Sequence, residues 1–432
     1  MSRFRSLFAQ DFVRAGMHTY AFSLLTLVAN LVSGVVVARG LGPDGRGEAV
    51  AISMLVQNLG FLFSMGAIHS LSYRAAREPA ATARLATAWT LLMLPLSLAA
   101  FLVGQLALPV LFDSQSDHAV DLARWFLLSV VLVLWLELTN GLLLGARDYL
   151  FVNVARFAQP ALHTVLVLVL WRLDELTVAW ALGSSVITAA VVQVAAMARV
   201  LRLTGGFGRP DRRLALQTLW YGVRGHGALL ANAANQRLDL LIMPAFITAT
   251  GLGLYSIAAN VSLIVSTLAN SLATIVLPAA AHDPEGGPRT VVRSLQATLA
   301  VAVAVAVVLL VLARPALELV YGDEFGGAAP TLRVLLPGTV MLAGALILVA
   351  GLYAANRPSI ATAVQVAGLV VTVAGLLVFL PTGSIMTAAI VSTAAYGVVF
   401  AGALIAFKRV TGTPWGRFLA IPRSLRPSRS TA

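Results

Sequence analysis

The sequence predicts an all-α integral membrane protein: twelve transmembrane helices in two six-helix bundles, related by a pseudo-twofold axis along the membrane normal. Three observations carry this. Of the 432 residues, 59% are apolar and only 11% charged, against about 25% charged in water-soluble domains. No single soluble core grows large enough to hide that much apolar surface. Apolar runs of about 20 residues, enough to cross a bilayer as a helix, recur along the whole chain, without the period-two alternation of a membrane β-barrel. And the chain repeats itself weakly at an offset of about 206 residues.

Taken in order, the spans fall at about 17–39, 48–72, 85–111, 120–145, 150–171 and 176–199, then 218–247, 251–280, 290–313, 330–354, 359–381 and 384–407. Residues 1–199 form the N-terminal bundle, 200–217 a polar cytoplasmic linker, 218–407 the C-terminal bundle, and 408–432 a basic tail. Basic residues orient them, because loops rich in Lys and Arg stay inside. With the N terminus inside, 22 of the 30 Lys and Arg fall on the inner side and six outside, while Arg224 and Arg237 lie within span seven. Both termini are therefore expected to be cytoplasmic.

The net charge of +12 follows from this topology, so no nucleic-acid partner is inferred from it. With no cysteine, disulfides and thiolate metal sites are excluded. The first apolar segment lacks a convincing cleavage site and is expected to remain a span. Before it, Phe4, Phe8 and Phe12 recur every four residues among Arg3, Arg5 and Arg14, the pattern of a short helix lying on the inner surface. The tail, with Pro414, Pro422 and Pro427, reads as a loose arm attracted to membrane lipid.

The repeat rests on three matches in order. Gly45 and Gly47 land on Gly251 and Gly253, and Pro109 lands on Pro315. At an offset of 210, Gly141 lands on Gly351 and Arg147 on Arg357. Six spans per repeat is an even number, so both halves share one orientation, and substrate is expected between them.

Three stretches, RGLGPDGRGEAVA after span one, RLDLLI…GLGLYSIAA through spans seven and eight, and LVYGDEFGGAAPTLRVL between spans nine and ten, resemble the oligosaccharide-lipid flippases. These are polysaccharide exporters of the MATE-like (MOP) superfamily. The resemblance implies twelve helices in two bundles in the bacterial cytoplasmic membrane. It also implies passage of a polyprenyl-diphosphate-linked sugar from the inner to the outer leaflet for polysaccharide biosynthesis. The chain is taken to work as a monomer, with polysaccharide-assembly proteins as candidate partners. Drug-extruding relatives share the architecture, and the lipid II flippases usually carry two further spans that this sequence lacks.

Span seven holds the sharpest local signal. ANAANQRLDLLIMPAF (231–246) sets three amides and two opposite charges in an otherwise apolar helix. At 100° per residue, Arg224, Asn232, Asn235 and Asp239 share a face with Gln236 at its edge, while His226 and Arg237 share another. A charge at mid-bilayer costs about 2.5–3.5 kcal/mol on insertion scales, so both faces must meet water, polar partners or ligand. Arg237 and Asp239 point about 200° apart and cannot easily pair with each other. The functional reading makes Arg237 a contact for substrate phosphate or acidic sugar, and Asp239 a proton or Na⁺ site. The plainer reading gives each a structural partner on a neighbouring helix.

Glu137 in span four and Arg156 in span five should lie at similar depth. They form either an ion pair across the hairpin or a proton-exchanging carboxylate beside a phosphate-binding arginine. Arg147 and Arg357 sit at inner mouths; with Arg74, Arg156 and Arg224 they could line a basic vestibule, since guanidinium forks suit diphosphate. Inner-end arginines are also what the positive-inside rule produces by itself. His69 and His163 stand alone, so no metal is expected. Without a phosphate-loop lysine, no ATP hydrolysis is inferred, and GLGPDGRG, following a membrane helix, reads as a tight outer turn. No cofactor is inferred beyond a coupling H⁺ or Na⁺.

Three functions remain open in order of preference: the flippase; an ion-coupled drug or metabolite antiporter of the same fold; and a multi-span membrane glycosyltransferase or ligase using outer carboxylates. Fixed cations in the cavity favour the first, because cationic drugs call for a negative cavity.

Overall fold

A computed structural model describes residues 2–267 and 286–419, with 269, 272, 273, 276 and 280 between them. Side chains at 2–18, 20, 225, 228, 229, 231–236 and 419 lie outside the description. The fold is all-helical, with no strand among the described residues. We number the helices α1 (Ser2–Phe63), α2 (Ala67–Arg77), α3 (Thr82–Leu111), α4 (Asp117–Phe126), α5 (Val130–Gly145), α6 (Tyr149–Arg172), α7 (Val178–Thr204), α8 (Arg212–Ile242), α9 (Ala249–Ser262), α10 (Gly287–Tyr321), α11 (Ala329–Ala354), α12 (Pro358–Phe379), α13 (Ile385–Thr411) and α14 (Trp415–Leu419).

Among the described residues, ten helical stretches are long and apolar enough to cross a membrane, and the protein is a multi-pass membrane protein. One stretch, Ala21–Phe63, is 43 residues long and carries two of the twelve predicted spans. The predicted span seven lies on α8, whose amides and charges keep it below the same apolar level. Each predicted span thus finds a helix among the described residues, except that most of the second half of span eight, after 267, lies outside them. The chain forms two compact units, Met1–Leu230 with Thr248–Gly253, and Ala231–Ile247 with Leu254–Ala432. The division runs through α8.

The tight turn expected at GLGPDGRG shrinks to one residue. Gly42 takes φ 66° and ψ −176°, and the helix restarts at Pro43. Glycine tolerates that conformation, and Pro at the restart has no N–H to leave unpaired. Span two, expected as one helix over 48–72, is instead broken between Phe63 and Ala67. Met65 and Gly66 both adopt left-handed backbone, at φ 51° and 69°. The helical stretch from residue 2 includes the predicted surface segment 3–14 without interruption.

The turns after α5, α6 and α11 share one design. A left-handed residue follows the helix, and its own amide and the next bond back to the last turn. Arg147 (φ 62°), Asp174 (φ 57°) and Asn356 (φ 56°) hold the left-handed position. Asp148 N–H reaches Leu143 O at 3.0 Å, Glu175 N–H reaches Leu170 O at 2.9 Å, and Arg357 N–H reaches Leu352 O at 2.9 Å. This corrects the repeat register. Backbone geometry matches Arg147 to Asn356, one residue short of Arg357, so the two arginines are not equivalent.

In the second unit α11 is the most buried span. Thr393, Phe400 and Phe407 on α13 recur every seven residues and sit against Gly338, Gly344 and Gly351 of α11. Small residues let the helices approach closely where lipid provides no hydrophobic drive. In the first unit, Gly141 and Gly145 of α5 receive Leu71 and Ala75 of α2 in the same way. The tail departs from the expected loose arm: α14 folds back, and Gln296 Nε2 donates to the carbonyls of Arg417 and Phe418. Residues 420–432 lie outside the described residues.

Candidate functional site

α8 carries its polar residues on two different tasks. In its first half, Gln217, Tyr221, Gly222 and His226 form a stripe that zips along α2 and the break before it. Gln217 accepts from Arg74 Nη2 at 3.0 Å. Tyr221 stacks on Tyr73 with centroids 4.8 Å apart. Gly222 lies against the carbonyls of Met65 and Gly66. His226 Nε2–H donates to Phe61 O at 2.9 Å, capping a carbonyl that the helix break leaves without its usual partner. Its Nδ1 is buried with no hydrogen-bond partner among the described residues. Phe61 O also accepts from Ser64 Oγ at 2.9 Å, so we expect His226→Leu to cost only about 1 kcal/mol. Gly222→Leu, which drives a side chain into two backbone carbonyls, is expected to cost about 3 kcal/mol. Thermal unfolding of the two purified variants checks that order.

In its second half α8 ends in a short 3₁₀ turn, Met243–Ala245, which places Asp239 in the last helical turn. Asp239 is 7% exposed. Its Oδ1 accepts from Leu240 N–H at 2.8 Å. Its Oδ2 accepts from the Tyr255 hydroxyl of α9 and from Ser392 Oγ of α13 at 3.3 Å; those two hydroxyls lie 3.2 Å apart. Three helices therefore converge on one carboxylate. No Lys, Arg or His nitrogen lies within 4.0 Å of it among the described residues.

Arg237, Asp239, Tyr255, Asn260, Ser262 and Tyr396 face a small pocket of about 10 Å³ in the second unit. The two charges of span seven share this pocket without touching, as their angular separation requires. A carboxylate held by two hydroxyls and a backbone N–H suits a proton or a hard monovalent cation, and the guanidinium on the same pocket suits an anion. Among the described residues no group of three His, Asp or Glu gathers where a metal ion could be held.

The remaining predicted residues disperse. Glu137 on α5 and Arg156 on α6 act on each other electrostatically, without the ion pair within 4.0 Å that the plainer reading expected. Arg147 and Arg357 are exposed in the turns after α5 and α11, and Arg224 is exposed on α8. Arg147, Arg156 and Arg224 belong to the first unit and Arg237 and Arg357 to the second. Asn232, Asn235 and Gln236 stand on α8, but their side chains lie outside the described residues. His163 Nδ1 pairs with Ser184 Oγ at 3.0 Å. Sequence reasoning missed Tyr255, Ser392 and Tyr396. The one available signal was Tyr255, a phenol within the apolar GLGLYSIAA.

A family model described as "Polysaccharide biosynthesis protein" matches residues 36–330. The chain belongs to this polysaccharide biosynthesis family. No curated protein matches it in sequence. Among solved structures it is similar in fold to the lipid II flippase MurJ in an inward closed conformation. The TM-score is 0.77 at 13% identity, covering 93% of this chain and 89% of that one. It is also similar to an inward-facing multidrug resistance MATE family transporter of the MOP superfamily, with TM-score 0.72, 16% identity, and 90% and 96% of the two chains covered. A MOP superfamily transporter from Pyrococcus furiosus matches with TM-score 0.57 and 15% identity, over 93% and 96%. The fold of this family member is thus that of the MOP superfamily.

Proposed function

We propose that this family member is a flippase, not an enzyme. It moves a polyprenyl-diphosphate-linked oligosaccharide from the inner to the outer leaflet of a bacterial cytoplasmic membrane by alternating access. Both termini lie on the cytoplasmic side, as the distribution of Lys and Arg favours. The chain acts as a monomer, alongside polysaccharide-assembly proteins. The observation that carries the reading is Arg237. It faces the pocket that Asp239 also lines and has no carboxylate within 4.0 Å among the described residues, so its fork of donors is available to an anion. Family membership supports the same substrate class. At about 10 Å³ the pocket has room for about one water molecule. It suits a proton or a coupling ion; the phosphate and sugars of the head group need the further opening that alternating access supplies. Asp239 is the coupling site, and Glu137 beside Arg156 a second exchangeable carboxylate. Arg147, Arg156, Arg224 and Arg357, with the amides of α8, guide the head group.

The test is reconstitution with defined lipid-linked sugars and a leaflet-specific assay. Arg237→Ala is expected to slow translocation roughly 10- to 100-fold, the worth of a charge-assisted hydrogen bond. Arg237→Lys keeps part of the rate, because a point charge replaces a fork. If Arg237→Ala moves the lipid-linked sugar like the parent while cationic drugs are exported, the antiporter reading replaces this one.

A further inference from the structure

We propose that the inner end of the second unit is a binding surface for anionic phospholipid, assembled by α14 together with the facing ends of α10 and α13. "Inner" rests on the orientation proposed above; the binding itself does not depend on transport.

The first observation is that α14 is held in place. It has five residues, far too few to stay helical alone. Gln296 Nε2 of α10 donates to two of its carbonyls, at 2.9 Å to Arg417 O and 3.2 Å to Phe418 O. Phe418 packs against the core cluster that contains Phe407, with ring centroids 6.4 Å apart. Lys408 Nζ lies 4.6 Å from the Trp415 ring centroid. The strap is thus fastened to two helices by an amide clamp, an apolar plug and a cation–π contact.

The second observation is what the strap joins. Arg289, Arg293 and Gln296 lie on one stripe of α10, spaced by four and three. Lys408 and Arg409 end α13, and Arg417 is on the strap itself. Arg289, Arg293, Arg409 and Arg417 are exposed. None of the five cations has an acidic partner within 4.0 Å among the described residues. Elsewhere acids do accompany arginines near helix ends: Arg74 with Glu78, Arg84 with Asp211, Arg199 with Asp148, Arg124 with Asp121 and Arg314 with Glu318.

The partner follows from position. The same helices expose apolar residues further along, Val301 and Val303 on α10 and Val398 and Ile405 on α13. A ligand of the patch must therefore present negative charge where acyl chains begin. Trp415, half exposed, is the residue type that settles at that boundary. A phospholipid with an anionic head group meets both demands. The positive-inside rule alone would place cations here, but it does not call for a clamp.

Native mass spectrometry of the full chain, titrated with phosphatidylglycerol against phosphatidylcholine, tests this. The parent is expected to retain phosphatidylglycerol selectively. Each cation near an anionic surface is worth about fivefold in affinity, so Arg409→Gln with Arg417→Gln should lose about 25-fold. Gln296→Leu, which keeps every charge but frees the strap, should also lose affinity. Arg202→Gln, which removes an exposed charge at the end of α7, should not. Unchanged binding in the Gln296 variant, or equal loss in the Arg202 variant, would overturn the proposal by reducing the patch to bulk charge. Displacement of the lipid by an equal concentration of inorganic phosphate would overturn it too, since a free anion would then suffice.

Discussion

Asp239→Asn is expected to fold like the parent and to lose coupled transport on the order of 100-fold. The size follows from what a coupling site does: linked sites exchange about 1–3 kcal/mol, or roughly 5- to 150-fold. Asparagine is nearly isosteric. With its carbonyl at the Oδ1 position it still accepts from Leu240 N–H, and its amide at the Oδ2 position can donate to the Tyr255 and Ser392 hydroxyl oxygens, so the stability loss should stay near 1 kcal/mol. What disappears is a charge that a proton or Na⁺ can neutralise. Tyr255→Phe is the companion variant. It preserves the ring but removes one of three donors to a buried carboxylate, at a cost of about 1–3 kcal/mol. Flux in proteoliposomes, measured with and without an imposed H⁺ or Na⁺ gradient, checks both. An Asp239→Asn protein that still answers either gradient like the parent would remove Asp239 from the coupling role and leave it as structural glue.

The spans were legible because lipid imposes one demand on every crossing segment, a long apolar helix, and composition displays it directly. The interruptions were not. Gly42 beside Pro43 announces a turn, yet nothing in SMGAIHS says that Met65 will adopt left-handed backbone; packing against Gly222 and His226 of α8 accompanies that choice. The repeat register slipped by one residue because identity of residue type, Arg147 with Arg357, was used in place of backbone role. The turn needs a left-handed residue, and Asn356 fills that role. In the site, Arg237 and Asp239 stood out because charge is costly in an apolar run. Their surroundings did not. The hydroxyls that serve Asp239 come from residues 16 and 153 positions away, and a Ser or Tyr in a membrane helix can as easily satisfy itself on its own backbone.

Gly47→Leu and Gly253→Leu are each expected to part a helix crossing between two repeat-related glycines. Pro43 to Gly47 of α1 lies against Ala249 to Gly253 of α9. A Cβ at Gly47 would stand 2.9 Å from the Gly253 amide nitrogen and closer still to the Ala249 carbonyl. At Gly253 it would stand 3.2 Å from the Gly47 nitrogen and closer still to the Pro43 carbonyl. Asp44 accepts a hydrogen bond from Thr250 Oγ1 beside them. Each pair, 43 with 249, 44 with 250 and 47 with 253, is separated by the offset of about 206 found in the sequence. The contact is therefore symmetric, and each glycine admits the other's backbone. No side chain can enter without moving main chain, so the cost should reach about 3 kcal/mol, or roughly 100-fold in the closed population. The chain contains no cysteine, which gives a clean reporter: Asp44→Cys with Thr250→Cys is expected to form a disulfide, since their side chains meet beside a crossing where the two backbones touch. Adding Gly47→Leu should cut that cross-link sharply. If the crossing opens in each cycle, the oxidised protein stops transporting and reductant restores it. A Gly47→Leu protein that cross-links at the parent rate would show that the glycines are incidental, and a cross-linked protein that still transports would show that this contact stays shut throughout the cycle.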